Sequence, residues 1–278
     1  MVGSFHIPPV GYGPGSQPED TGDKLEYMQM PQDMRSYTTH IPEIEADENY
    51  APALTVLRDI AKASDKVGRG AENVKFDLSG LDKPNRALIA ETMGEGEVSV
   101  KIHDVPAVAA QESVFAGIWV LRGANIDVIE VGPVPQGALD RAFVPRKEGK
   151  GTKAPKVPGV VNAPPIYVEL ADKSAGFSSD DEAHVVNLTL LPHTEQDLEW
   201  LDAAMGKGAV DILSRGYGNC RVSATALPHI WRVQFFNSMD TLILDTFEVT
   251  SMPEVAIAAP EDLVDSGERL VEVLEAIR

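Results

Sequence analysis

GIWVLRG at residues 117–123 and HIWRVQF at 229–235 set Trp119 and Trp231 112 positions apart, each behind an isoleucine in an apolar run. The same offset carries Met93-Gly94-Glu95-Gly96-Glu97-Val98 onto Met205-Gly206-Lys207-Gly208-Ala209-Val210, and Ala51-Pro52 onto Ala163-Pro164. KFDLSGL (75–81) agrees with VVNLTLL (185–191) at an offset of 110, and IEVGPVP (129–135) with FEVTSMP (247–253) at 118. One such match has little weight; several in the same order along the chain are the signature of an internal repeat. The chain is therefore read as one structural unit written twice, the second copy having gained six residues in its last hairpin.

Each copy spells the same order of elements. Leu54, Val56, Leu57, Ile60 and Ala61 recur at helical spacing between Ala53 and Ala63. KFDLSGL reads as a strand, Arg86 to Met93 as a helix stopped by Gly94, and EVSVKI (97–102), GIWVLRG and DVIEVG (127–132) as strands. In the second copy Thr194 caps a helix over 195–205 that Gly206 ends. DILSRG (211–216), CRVSATA (220–226), IWRVQFF (230–236) and TLILDTFEVT (241–250) carry the β-branched and aromatic residues of strands. A last helix starts at Pro260, with Leu263, Leu270, Leu274 and Ile277 on one stripe and acids outside it. The expected fold is α+β: two similar sheet-and-helix lobes, mostly antiparallel, packed about a pseudo-twofold axis. The expected division is an extended Gly/Pro-rich arm over 1–50, a first repeat over 51–145, a basic Gly/Pro linker over 146–162, and a second repeat with the terminal helix over 163–278. RKEGKGTKAPK (146–156) within that linker reads as solvated chain.

Charge narrows the function. The 278 residues hold 24 Lys and Arg against 43 Asp and Glu, a formal charge of −19. Such a surface repels phosphate backbones and anionic lipid, so neither nucleic acid nor a membrane is an expected partner. Cys220 is the one cysteine; it can close no intrachain disulfide and builds no Cys-rich metal site, which fits a reducing compartment. The N-terminus lacks a basic segment followed by an apolar run, and no stretch of about 18 apolar residues occurs, so the expected location is the cytoplasm.

No enzyme motif is present. The six histidines, at 6, 40, 103, 184, 193 and 229, include no pair in the four-residue spacing of a zinc-hydrolase helix. GKGT in the linker fails as a phosphate loop: Val144 stands where the first glycine belongs, and Gly151 where Ser or Thr must hold the metal. Neither a G-x-S-x-G elbow nor a dinucleotide-binding glycine pattern occurs. The expectation is a protein with no catalytic residue, no cofactor and no metal of its own. The unusual segment is SRGYGNCR (214–221), where two glycines permit a tight turn presenting Tyr217, Asn219, Cys220 and Arg221. It is read either as a recognition loop, with the thiol beside a cation that favours its thiolate, or as a plain hairpin with Cys220 as a small buried residue. The first copy has KIHDVPAVAA in its place, so the copies diverge here.

PGSQPED (14–20), YMQMPQDM (27–34), VNLTLLPHT (186–194), ILSRGYGNCRVSAT (212–225) and the run IWRVQFFNSMDTLILDTFEVTSMPEVAIAAPEDLVDSGERL (230–270) together resemble the HupH/HoxQ/HyaF family of hydrogenase expression proteins. The departures lie in the first copy and in the loop 171–184. The resemblance implies an accessory protein of [NiFe]-hydrogenase maturation, a chaperone for the precursor of the small iron–sulfur subunit, working with a thioredoxin-like companion. The alternative it carries is nickel incorporation into the large subunit, for which Cys220, His193 and His229 are the candidate ligands. On the chaperone reading the expected partner contacts are Tyr217, Gly218, Asn219, Cys220, Arg221, Trp231 and Phe235, with Phe236 and the N-terminal arm beside them. A homodimer is a further expectation, and the acidic charge suits the basic leader of a small-subunit precursor.

Overall fold

The computed structural model describes residues 48–216 and 218–277; the arm up to residue 47, with His6 and His40, and Tyr217 lie outside the described residues. The first half runs α1 (Ala51–Gly68), β1 (Val74–Asp77), α2 (Lys83–Met93), β2 (Val98–Ile102), β3 (Val108–Glu112), β4 (Ile118–Gly123), β5 (Ile126–Val131) and the short α3 (Gln136–Arg141). The second runs α4 (Ala163–Ala175), β6 (His184–Asn187), α5 (Glu195–Met205), β7 (Val210–Ser214), β8 (Asn219–Ala224), β9 (Ile230–Phe236), β10 (Leu242–Val249) and α6 (Pro260–Ala276). β3 lies outside the expected strands: Val108-Ala109-Ala110-Gln111-Glu112 has little β propensity, and pairing with β2 on one side and β4 on the other makes it a strand.

The strands form one sheet in the order β1-β5-β4-β3-β2-β7-β8-β9-β10-β6, antiparallel at every step. Counted from either edge inward, each half contributes its first, fifth, fourth, third and second strand. In place of two lobes with separate sheets there is one sheet, because β2 pairs with β7. That pairing sets Val98 opposite Ser214, Val100 opposite Ile212 and Ile102 opposite Val210. Shifting the first half by 112 positions maps this set of pairs onto itself, so the contact has the self-complementary form of a twofold interface.

Strand alternation divides the apolar residues between the two faces. On one, α1, α2 and α6 cover Ile118, Ile129 and Val131, while α4 and α5 cover Val186, Ile230, Phe247 and Val249. The other carries a core that runs through the midline and includes Val100, Trp119, Ile212, Cys220, Trp231 and Val233, roofed by Ala138 and Ala142 around α3 and by Met252 and Ala256. The terminal helix α6 covers the first half: Ser64 Oγ donates to Leu263 O at 2.7 Å, and a Cβ on Gly267 would stand 2.9 Å from Ala61 O. The repeated Met-Gly-x-Gly-x-Val has a physical reading. Gly94 and Gly206 end α2 and α5 at φ 57° and 69°, where side chains are disfavoured. Gly96 and Gly208 lie so close to Ser113 O and Thr225 O that a Cβ would come within 2.2 and 2.5 Å.

The segment 146–156 keeps most of its side chains exposed, as a solvated linker does, but its backbone is anchored. Lys147 and Lys207 exchange backbone hydrogen bonds of 3.0 and 2.8 Å, and Lys150 N donates to Ala203 O at 3.0 Å. Ala154 is buried and its carbonyl accepts from Trp200 Nε1 at 3.1 Å. The Lys150 backbone N–H thus serves a carbonyl in the last turn of α5, which holds no basic residue of its own.

Candidate partner-binding edge

The β7–β8 loop and the β9–β10 turn stand side by side at one end of the second half. Ser214 pairs with Cys220 to close the first of them, and Gly218 turns the chain at φ 95°. In the second, Asn237 Oδ1 accepts from Met239 N and Thr241 N, both at 2.9 Å, which fixes a tight turn. Asn219 Nδ2 donates to Asp240 Oδ1 at 3.0 Å and ties the two tips together. The exposed Arg221 guanidinium lies 4.6 Å from the centre of the Phe236 ring.

This turn exposes apolar side chains. Met239 is 79% exposed, Ile243 55% and Leu242 43%. The backbone beside them is open as well, since β6 pairs only with Thr246 to Val249 of β10. At Asp245 the edge strand is replaced by a side chain, Thr189 Oγ1 accepting from Asp245 N at 2.8 Å. Past that point Leu242 and Leu244 pair with β9 on one side, with Ile243 bulged between them, and among the described residues no strand lies on the other; the neighbouring Leu190 is 79% exposed. An unpaired strand edge beside apolar side chains accepts an extended segment by strand addition.

The structure sorts the expected contacts. Gly218 and Asn219 stand at the tip, Arg221 lies within β8 with its side chain exposed, and Phe235 is half-buried against the midline core. Trp231 is 0% exposed and offers a partner no surface; it is a core residue, edge-on to Phe143 at 5.2 Å. Cys220 is likewise buried. Burial pushes its thiol up to about 12, with the Glu248 carboxylate adding to the effect, so it is a neutral apolar filler at neutral pH and the thiolate reading fails. Met239, Leu242, Ile243 and Leu190 were missed by sequence reasoning. Their signal was Leu242-Ile243-Leu244, where apolar residues succeed one another without the alternation that a half-buried strand needs.

The nickel candidates do not share a site. His229 lies between Phe177 at 4.5 Å and Phe143 at 5.5 Å, whereas His193 Nδ1 donates to Leu191 O at 2.8 Å. Among the described residues no three His, Cys, Asp or Glu side chains are arranged to hold a metal ion. No helix among them is long and apolar enough to cross a membrane.

Comparison with known proteins agrees with the resemblance. Residues 160–277 match the family described as HupH hydrogenase expression protein, C-terminal conserved region. The chain is 59% identical to the hydrogenase expression/formation protein HupH of Rhodobacter capsulatus over 100% of both chains. It is 46% identical to HoxQ of Cupriavidus necator over 99% of this chain and 98% of that one, and 31% identical to the hydrogenase-1 operon protein HyaF of Escherichia coli over 98% and 95%. A solved structure of the hydrogenase expression protein HupH from Thiobacillus denitrificans matches 41% of this chain and 96% of its own, at 29% identity and a TM-score of 0.39. With such identity sustained over its whole length, the chain belongs to the HupH/HoxQ/HyaF family of hydrogenase expression/formation proteins.

Proposed function

We propose that this protein serves hydrogenase maturation as a chaperone, holding the precursor of the small iron–sulfur subunit by adding an extended, apolar segment of it to the open edge of β10. The observation that carries this is the edge itself: exposed Met239, Leu242 and Ile243 beside unpaired backbone, braced by the Asn219–Asp240 hydrogen bond. The contact set is Gly218, Asn219, Arg221 and Phe235 with the β9–β10 turn; the Tyr217 backbone neighbours belong to the same loop. A thioredoxin-like companion acts on the same client, in the cytoplasm. The relatives' names, hydrogenase expression/formation protein, support the process. On the same reading, residues 51–145 and 163–278 are two copies of one unit joined by the strap 146–162, which accounts for the matched strand order and the self-complementary β2–β7 register.

The test is affinity purification of the tagged protein from cells making the hydrogenase, with both subunit precursors quantified and nickel measured in the eluate. The small-subunit precursor is expected without nickel, and Ile243→Glu or Met239→Glu is expected to cut its recovery by roughly tenfold while leaving the melting temperature unchanged. Recovery of the large-subunit precursor together with nickel overturns this reading in favour of nickel incorporation.

A further inference from the structure

A groove of about 480 Å³ opens between α2 and the β4–β5 hairpin in the first half, at the opposite end of the sheet from β6. Its floor is apolar, made by the buried Leu78, Ile89, Met93 and Ile129. Its helical wall is low, because Ala87 and Ala90 stand there. Three cations, Lys83, Arg86 and Arg122, line it. Arg86 reaches Asp127 at 3.5 Å, while Lys83 and Arg122 have no acidic partner within ion-pair distance among the described residues.

The matching place in the second half is filled. Arg232 of β9 donates to Asp245 at 2.9 and 2.7 Å and to Asp202 of α5 at 2.6 Å, with Phe247 beneath it at 5.6 Å. There a cation rising from the sheet is bound by carboxylates from both walls. At the corresponding positions the first half has Val120, Asp127, Ala90 and Ile129. The space therefore stays open, and the positive charge sits on the rim instead of being neutralised inside.

We propose that this groove binds an extended peptide segment in which an acidic side chain is flanked by apolar ones, the carboxylate on Arg122 and Lys83 and the apolar side chains on the floor. Charge complementarity selects that occupant. On a chain of net charge −19, this groove joins a cationic rim to an apolar floor. Its field acts within about 8 Å at physiological salt, so an acidic side chain is attracted here while the floor takes its apolar neighbours. The volume lies in the range of about 300–1,000 Å³ typical of ligand sites. The proposal is independent of the β10 edge and of which hydrogenase subunit binds there.

The test is fluorescence anisotropy of full-length protein with a labelled Leu-Glu-Ile-Asp-Leu peptide, and with Leu-Lys-Ile-Lys-Leu as its basic counterpart, at physiological salt. Saturable binding of the acidic peptide alone is expected, weakened at least tenfold by Arg122→Glu and by Ala90→Trp, and unchanged by Lys173→Glu on α4. Arg122 is exposed on a hairpin, so its variant keeps the test decisive even if Ala90→Trp misfolds. Absence of saturable binding, equal binding of the basic peptide, or undiminished binding by Arg122→Glu overturns the proposal.

Discussion

Asp197 is a fully buried carboxylate that organises the second half. Its Oδ1 accepts from Val161 N, Asn162 N and Ala163 N at 2.8 to 3.0 Å, and its Oδ2 from Thr194 N at 3.0 Å. Burial by itself raises its pKa, but these backbone donors outweigh it and hold the group down at about 2, against an ordinary 3.8. Since the folded pKa is depressed, the stabilisation is complete above about pH 4 and disappears as pH falls toward 2, a change of about 2 kcal/mol. Asp197→Asn, which turns an acceptor into a donor facing Thr194 N, is expected to cost about 2–4 kcal/mol in urea denaturation at pH 7 and to flatten that acid dependence. Asn85 does the same work in the first half, its Oδ1 accepting from Ala53 N at 2.9 Å. Glu112 behaves in the opposite sense. Burial, opposed by the Gly117 N–H and reinforced by Glu97 and Asp262, lifts it from 4.5 to about 7. The folded state then holds that proton more tightly than the unfolded chain, and stability falls as pH rises from 4.5 through 7. Glu112→Gln is expected to stabilise the protein at pH 8 by about 2–3 kcal/mol and to leave it little changed at pH 4. The Thr194 cap was legible in sequence; the roles of Asp197 and Glu112 were not, because one depends on backbone N–H groups brought from Val161 to Ala163 by the fold and the other on the depth of its burial.

At the scale of elements, α1, α2, α5, α6 and most strands were legible because their apolar periods are local, whereas α4 and the short α3 were not. α5 begins and ends where Thr194 and Gly206 place it. β3 and the strap at 146–156 were not, since what holds them is backbone pairing with partners far along the chain. The α1–α6 contact is another such case, visible in sequence only as an unexplained glycine within a helix. Gly267→Leu would drive a side chain into Ala61 O, forcing the helices apart at an expected cost of about 1–3 kcal/mol, read as a lowered urea midpoint with an unchanged slope. The proposed edge was half legible: the glycine loop lies at the same end of the sheet as the β9–β10 turn, but Cys220 and Trp231 turn inward. Strand alternation from Trp231 would have put it with Val233 on a buried face, and only the midline core shows how deep that face lies.

At the scale of the molecule, one sheet unites the two halves, and α6 returns from the end of the chain to roof the first. Leu263, Leu270, Val273, Leu274 and Ile277 are all buried there, which at about 1.5–3 kcal/mol each is comparable to the whole stability of a domain. A chain ending at Ala259 is therefore expected to lose its cooperative thermal transition and to become sensitive to protease within α1, although α1 lies some two hundred residues upstream. The sequence matches between the halves predicted like elements in each. It could not show the crossing of α6, because an amphipathic stripe states that a face is covered and not by what. The central claim, that an open apolar edge receives the hydrogenase client, is tested most directly by hydrogen–deuterium exchange of the full-length protein with and without purified small-subunit precursor. Slowed exchange confined to residues 188–191 and 237–245 is the predicted result. Unchanged exchange there, with protection elsewhere or nowhere, would contradict it.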